Sequence, residues 1–259
     1  MSSDYLKKVF GLDGQVVVVV GGTGVLGGAL CEGLAQAGAH VVVAGRSEER
    51  GQQRVAAIEK LGGAASFVAV DATSRESVQN LRDTVLNQHG KVSGLVNGSG
   101  TISATPFLEI DEEEFRNIVD TNLHTIYLAC QEFVPHMVES GGGSILNIGS
   151  VTSFLPLSKV YTYAATKAAV LNLTKNLARE FATQNVRVNC LCPGFFPAEQ
   201  NRKILSPERV TDIMRHTPMD RFGEPEELVG ATLMLLSLAG SFVTGSAVYV
   251  DGGFTCMTI

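Results

Sequence analysis

The sequence has no surplus of positive charge: 20 lysines and arginines face 26 aspartates and glutamates, for a net charge of −6. A surface of that sign repels polyanions and gains nothing from counterion release, which excludes nucleic acid as a partner. There is no CxxC pair. The five cysteines, Cys31, Cys130, Cys190, Cys192 and Cys256, form neither a disulfide framework nor a zinc-ligand pattern and read as buried free thiols. His40, His89, His124, His136 and His216 show no HxxxH spacing, so no metal is expected. The opening MSSDYLKKVF lacks the apolar core of a secretory signal and is neither Arg-rich nor acid-free, which points to the cytoplasm. The uncharged stretch 228–250 is long enough for a membrane span, but Gly230, Ser237, Gly240, Ser241 and Gly245 interrupt it. Helix, turn and buried strand are expected there, and no membrane partner. No repeat, low-complexity tract or Pro/Ser-rich linker divides the 259 residues, which read as one domain, 1–259.

What is present is a rhythm of short apolar runs and helical periods. The β-branched run 16–20 leads into glycines, a helical stretch ending near Gly38, and a second buried run at 40–44, which is a βαβ unit. Further runs at 66–70, 94–96, 144–148, 186–192 and 247–250 bring the expected strands to seven. Alternation of this kind predicts an α/β fold: a mostly parallel sheet with crossover helices on both faces and ligands at the carboxyl ends of the strands.

Gly22-x-Gly24-x-x-Gly27 follows the first strand and opens a helix; the same glycines also read as Gly21-x-x-Gly24-x-x-Gly27. Either spacing permits a tight turn, close approach of a pyrophosphate, and dense helix-on-strand packing. In units that bind NAD, an acid ending the second strand accepts hydrogen bonds from the adenosine ribose. Here Gly45 holds that place, followed by Arg46 and Ser47. A guanidinium and a hydroxyl suit a 2′-phosphate, so NADPH/NADP+ is favoured and NADH/NAD+ is the alternative.

Tyr163 and Lys167 are four residues apart in a helical period and project from one face. The ammonium is expected to lower the phenol's pKa so that Tyr163 exchanges a proton with a substrate oxygen. Ser150 follows the fifth strand, where its hydroxyl can hold that oxygen beside the phenol.

At these motifs the chain resembles the short-chain dehydrogenase/reductase family, in its single-domain branch, over nearly its whole length. The family's landmarks occur in order: the glycine turn of Gly21, Gly22, Thr23, Gly24, Val25, Leu26 and Gly27; Asp71 and Ala72 after the third strand; Asn97, Gly98, Ser99 and Gly100; Asn122; Ser150; Tyr163-x-x-x-Lys167; and Pro193-Gly194. The resemblance implies a Rossmann-type, doubly wound sheet and hydride transfer between a nicotinamide and a carbonyl or secondary alcohol. It implies that all these landmarks, with Arg46 and Ser47, surround the cofactor and that Asn122, Ser150, Tyr163 and Lys167 are catalytic. Asp71 would contact adenine, Lys167 the nicotinamide ribose, and Asn122 a water in a proton relay through Lys167. The chain departs from the family pattern at Val20, Gly98, Ser99 and Ala198, which replace the usual Thr, Asn, Ala and Thr.

After Pro193-Gly194, the segment 195–224 mixes Phe195 and Phe196 with polar and cationic groups and reads as a substrate lid. Its string PGFFPAEQNRK is similar to sugar-acid oxidoreductases of the mannonate/fructuronate type, which makes Arg202 a candidate partner for a substrate carboxylate. Small hydroxy-ketones, quinones and acyl thioesters are the other substrate classes. Rival readings are a dinucleotide-binding regulator without turnover and an epimerase or dehydratase, the latter disfavoured because the chain has no additional substrate domain. Part of 228–250 is expected against a second subunit, in a homotetramer or a homodimer.

Overall fold

The computed structural model describes residues 3–197 and 206–257. Strand β1 (Val16–Val20) is five consecutive valines, all buried. β-branched residues suit a pleated strand, and burial on both faces requires cover on both. Alternation divides the five: Val16, Val18 and Val20 enter one core and Val17 and Val19 the other.

The remaining strands are β2 (His40–Gly45), β3 (Ala64–Ala69), β4 (Gly94–Asn97), β5 (Gly143–Ile148), β6 (Val186–Pro193) and β7 (Ala247–Val250). They form one sheet in the order β3-β2-β1-β4-β5-β6-β7, with every pair parallel. The order reverses between β1 and β4, and ligand crevices open at such a point beyond the carboxyl ends of the strands. The connecting helices are α1 (Ser3–Phe10), α2 (Val25–Gln36), α3 (Glu48–Lys60), α4 (Arg75–His89), α5 (Glu112–Val119), α6 (Thr125–Glu139), α7 (Tyr161–Phe181), α8 (Pro207–Arg215) and α9 (Val229–Leu236). Leu81, Phe133, Met137 and Val170 from α4, α6 and α7 pack on one face of the sheet. Leu30, Leu34, Ile58 and Leu235 from α2, α3 and α9 pack on the other.

Seven strands match the seven expected, and the sheet is wholly rather than mostly parallel. β3 begins two residues earlier than its apolar run, because pairing with β2 (His40↔Ala64) sets its register. Four cysteines are buried as expected, but Cys256 is exposed, in a short turn near the end of the described chain. The stretch 228–250 is a helix, a 3-10 turn and a strand, yet β7 is only half-buried because it is an edge strand. No described helix is long and apolar enough to cross a membrane.

Phe133 is fully buried and Phe242 fully exposed, which makes a paired test of this core. Phe133→Ala is expected to cost about 3–5 kcal/mol in urea unfolding, and Phe242→Ala about 0.5 kcal/mol or less. Equal losses would contradict the assignment.

Candidate active site

The first β-to-α turn is built by close backbone approach. Gly21 has φ +85°, and a Cβ there would stand 2.8 Å from the carbonyl carbon of Gly98 in the turn after β4. A Cβ on Gly27 would collide with the Gly21 carbonyl oxygen. Of the two glycine spacings, the one starting at Gly21 therefore has the backbone requirement, although a Cβ on Gly22 would also press on Cys31 Sγ at 2.9 Å. Gly24 caps α2 with no side-chain partner, so the first N–H groups of the helix are left for an anion. Gly24 and Val25 are exposed, with Thr23 and Leu26 half-buried beside them. That combination of cradle and uncapped helix end fits a dinucleotide pyrophosphate. A Cβ on Gly28 would meet only the guanidinium end of Arg54, a flexible side chain that pairs with Glu32 and can give way.

The second strand's end excludes an acid by packing. A Cβ on Gly45 would lie 2.6 Å from Thr23 Oγ1, so a carboxylate side chain has no room there. Arg46 is exposed and its charge reaches Asp71, whose carboxyl is held below the ordinary range chiefly by the Thr73 hydroxyl at 2.7 Å and then by the Thr73 N–H. Ser47 caps α3, its Oγ accepting from the Arg50 N–H at 3.3 Å. Ala72 is buried beside Asp71. Arg46, Ser47 and Asp71 thus lie together at one end of the crevice.

Asn97 does not turn toward that crevice. It is buried, and its Nδ2 donates to Asn147 Oδ1 at 2.9 Å, while Asn147 Nδ2 donates to Thr174 Oγ1 on α7 at 2.9 Å. Its Oδ1 finds no partner among the described residues. The crevice is bordered instead by Gly98, Ser99 and Gly100, with the Gly98 N–H donating to the Val20 carbonyl at 2.9 Å. Across the site, Pro193 ends β6 and the Gly194 N–H donates to the Val250 carbonyl at 2.9 Å.

Tyr163 and Lys167 share one face of α7, with Lys167 Nζ 5.5 Å from the centre of the phenol ring. Lys167 is buried, and its Nζ donates to the Ile148 carbonyl at the end of β5 at 2.7 Å. Burial lowers its pKa to about 8, with neighbouring Cys190 and Cys192 opposing the shift. Tyr163 departs from expectation: burial pushes its phenol above the ordinary value, a hydrogen bond with the Ser150 side chain pulls the other way, and the Lys167 charge is not among the causes. The reason is the order of titration: Lys167, lowered to about 8, loses its proton before the phenol loses its own, so no charge is left there to favour phenolate. A phenol so placed is protonated at neutral pH and has a proton to give. Ser150, opening a short 3-10 turn, accepts from the Thr152 N–H at 3.1 Å.

Asn122 lies in a π-helical turn (Asp120–His124) between α5 and α6. Its Oδ1 accepts from the Thr101 N–H at 2.7 Å, and its Nδ2 donates to the Thr101 carbonyl at 2.9 Å and to Thr166 Oγ1 at 3.3 Å. It therefore ties the loop after β4 to α7. A Cβ at Gly100 would lie 3.6 Å from Asn122 Oδ1 and 3.7 Å from Lys167 Nζ, so that glycine keeps open the gap the two residues flank.

In front of Ser150 and Tyr163 is a cavity of about 880 Å³ that Phe195 and Phe196 also line. Phe195 stacks edge-on against Phe254 at 5.1 Å, and Phe196 covers Gly223. Arg202 and Ala198 lie outside the described residues. Cys190 and Cys192 are buried free thiols, as expected. They sit under the site, their sulfurs 3.7 Å apart, and the thiol of Cys192 is lowered by its hydrogen bond with Cys190 and by the Ser150 N–H. Only their i, i+2 spacing in β6 carried that signal.

The Lys167 shift has a measurable sign. A folded pKa of about 8 against the ordinary 10.5 means that the unfolded chain holds this proton more tightly. The penalty on folding is full below about pH 8 and disappears as pH rises toward 10.5. In Lys167→Met that titration is gone, so the variant's stability relative to wild type is expected to fall as pH rises from 7 to 9.5, by at most about 3 kcal/mol. A difference that does not change with pH would contradict the burial of a charged Lys167.

A family model described as enoyl-(acyl carrier protein) reductase matches residues 23–255. Among characterised proteins, the chain is 33% identical to 3-oxoacyl-[acyl-carrier-protein] reductase of Chlamydia pneumoniae, covering 94% of this chain and 98% of that protein. It is 35% identical to gluconate 5-dehydrogenase of Gluconobacter oxydans, covering 95% and 97%. Among solved structures, a gluconate 5-dehydrogenase from Burkholderia cenocepacia in complex with NADP and tartrate superposes with a TM-score of 0.93 at 32% identity, covering 97% of this chain and 99% of that one.

Proposed function

The chain belongs to the short-chain dehydrogenase/reductase family, and from that premise we propose an NADP(H)-dependent oxidoreductase that interconverts a ketone and a secondary alcohol of a sugar acid. The observation that carries the reading is the convergence of Ser150 and Tyr163 on one cavity, with Lys167 buried beside the phenol ring, at the sheet end where the glycine turn of Gly21 and Gly27 meets Gly98.

The bound nicotinamide supplies or accepts the hydride. The turn from Gly21 to Gly27 and the first N–H groups of α2 would hold its pyrophosphate, Arg46 and Ser47 the 2′-phosphate, Asp71 and Ala72 the adenine, and Gly98, Ser99, Gly100, Pro193 and Gly194 the nicotinamide end. Asn97 supports this set from below through Asn147. Ser150 orients the substrate oxygen. Tyr163, protonated at neutral pH, donates its proton to that oxygen in reduction and takes it back in oxidation. Lys167 holds positive charge beside the phenol, and Asn122 fixes the loop from which a proton relay past Gly100 runs to solvent.

The sugar-acid class draws support from gluconate 5-dehydrogenase relatives and from the NADP and tartrate bound in one of them. A second reading, reduction of an acyl thioester, is favoured by the cavity's size and by Ile102, Val151, Leu157 and Phe195 along it, and matches the Chlamydia relative. We place site and lid (195–224) in one domain of a cytoplasmic homotetramer, with exposed Leu238 as a candidate for subunit contact.

The test is a steady-state panel of keto-aldonates, hexuronates and an acetoacetyl thioester with NADPH, run on wild type and Tyr163→Phe. Sugar acids are expected to be turned over, and Tyr163→Phe to lose about 100- to 10,000-fold in kcat with NADPH affinity nearly intact. Retained turnover in the variant would overturn the role of Tyr163, and turnover of the thioester alone would replace the substrate class.

A further inference from the structure

The cavity before Ser150 and Tyr163 carries four charged side chains, Lys159, Arg209, Glu208 and Asp212. The two carboxylates are engaged by their own helix. Glu208, in the first turn of α8, is held below the ordinary carboxylate range by its own N–H and by the Ser206 side chain. Asp212 pairs with Arg215 at 3.4 Å.

The two cations are not neutralised in this way. Among the described residues neither Lys159 nor Arg209 forms an ion pair. Arg209 Nη1 donates to the neutral Ser158 Oγ at 2.8 Å, reaching from α8 to the segment that enters α7. That bond uses one of the guanidinium's five donors and leaves a planar fork that matches a carboxylate. Lys159, next to Ser158 and four residues before Tyr163, has φ 64°, a left-handed conformation uncommon for any residue but glycine. Such backbone persists where the surroundings impose it, and it is concentrated at ligand sites.

Thr152 lines the same cavity. It is 5% exposed, and its Oγ1 has no hydrogen-bond partner among the described residues. A buried hydroxyl left unpaired costs free energy, which a ligand's hydroxyl would recover after a χ1 rotation that turns Oγ1 into the cavity. Two cations without an ion pair among the described residues, and a threonine with an unpaired hydroxyl, all lining the cavity that Ser150 and Tyr163 share, describe a ligand with both an anionic group and hydroxyls.

We propose that Arg209 and Lys159 bind the carboxylate of a polyhydroxy acid and that Thr152 binds one of its hydroxyls, with the reacting carbon held at Ser150 and Tyr163. This rests on the sugar-acid reading and deepens it. It assigns the carboxylate contact to Arg209 and Lys159 rather than to Arg202. A 3-oxoacyl thioester of N-acetylcysteamine, which has neither a carboxylate nor a hydroxyl, makes no use of the three residues.

The experiment measures KM and kcat with NADPH for wild type, Arg209→Ala, Arg209→Lys, Lys159→Ala and Thr152→Val. The substrates are 5-keto-D-gluconate, the neutral ketose of the same chain length, and an acetoacetyl thioester of N-acetylcysteamine. The expected result is a KM for the acid raised about tenfold or more by Arg209→Ala and by Lys159→Ala, less by Arg209→Lys. KM for the neutral ketose and the thioester should stay unchanged, as should NADPH binding and thermal midpoint. Thr152→Val is expected to raise KM for acid and ketose alike but not for the thioester. Acid turnover by wild type with KM unchanged in both cation variants would overturn the subsite while leaving the sugar-acid reading intact. Neither turnover of the acid nor inhibition by tartrate would overturn both.

Discussion

Buried polar groups must find partners, and in this protein that requirement fixes helix α7 on the sheet. Asn97 on β4 donates to Asn147 on β5, Asn147 donates to Thr174 on α7, Lys167 donates to the carbonyl of Ile148, and Ser153 Oγ donates to the carbonyl of Lys167. Three of these bonds reach α7, at Lys167 and Thr174, and together they set the rotation and the axial position of the helix. Tyr163 is one turn before Lys167, so the same bonds place its phenol against Ser150. Asn122 extends the network by joining the 98–101 loop to Thr166. The reacting groups are therefore positioned by hydrogen bonds in a dry interior, where geometry is less forgiving than in apolar packing.

The cofactor side of the crevice depends on a different constraint, which is backbone approach. Gly21, Gly98 and Gly27 allow two loops and a helix to meet at distances no Cβ would permit. The same crowding reaches Gly45, where Thr23 fills the place of an acidic side chain. Preference for a phosphorylated ribose thus has two parts. Thr23 leaves no room for the group that would prefer the 2′-hydroxyl, and on the proposed reading Arg46 would supply charge for the 2′-phosphate.

Much of this was legible in the sequence because it is local. Five valines in a row, glycines after a strand, and Tyr163 and Lys167 at helical spacing each need only a few residues to be read. The expected seven strands are all present, and the helix carrying the pair spans Tyr161–Phe181. What was not legible lies between distant segments. Nothing near Asn97 says that its side chain faces Asn147, 50 positions away, rather than a ligand. Nothing near Ser158 announces Arg209, 51 positions on. Nor does anything near Lys167 announce its partner, the carbonyl of Ile148 in another element. The π-helical turn at Asn122 also has no local signature, and without it that side chain would not reach Thr101.

The central claim is that this fold holds a phosphorylated dinucleotide through Arg46 and an uncapped glycine turn. Its most direct test is a fluorescence titration of the purified protein with NADPH and NADH in parallel, with Arg46→Ala beside wild type. The account predicts tighter binding of NADPH by wild type, about tenfold or more, and loss of that preference in Arg46→Ala with NADH binding little changed. Equal affinities in wild type, or a preference that survives the substitution, would contradict it.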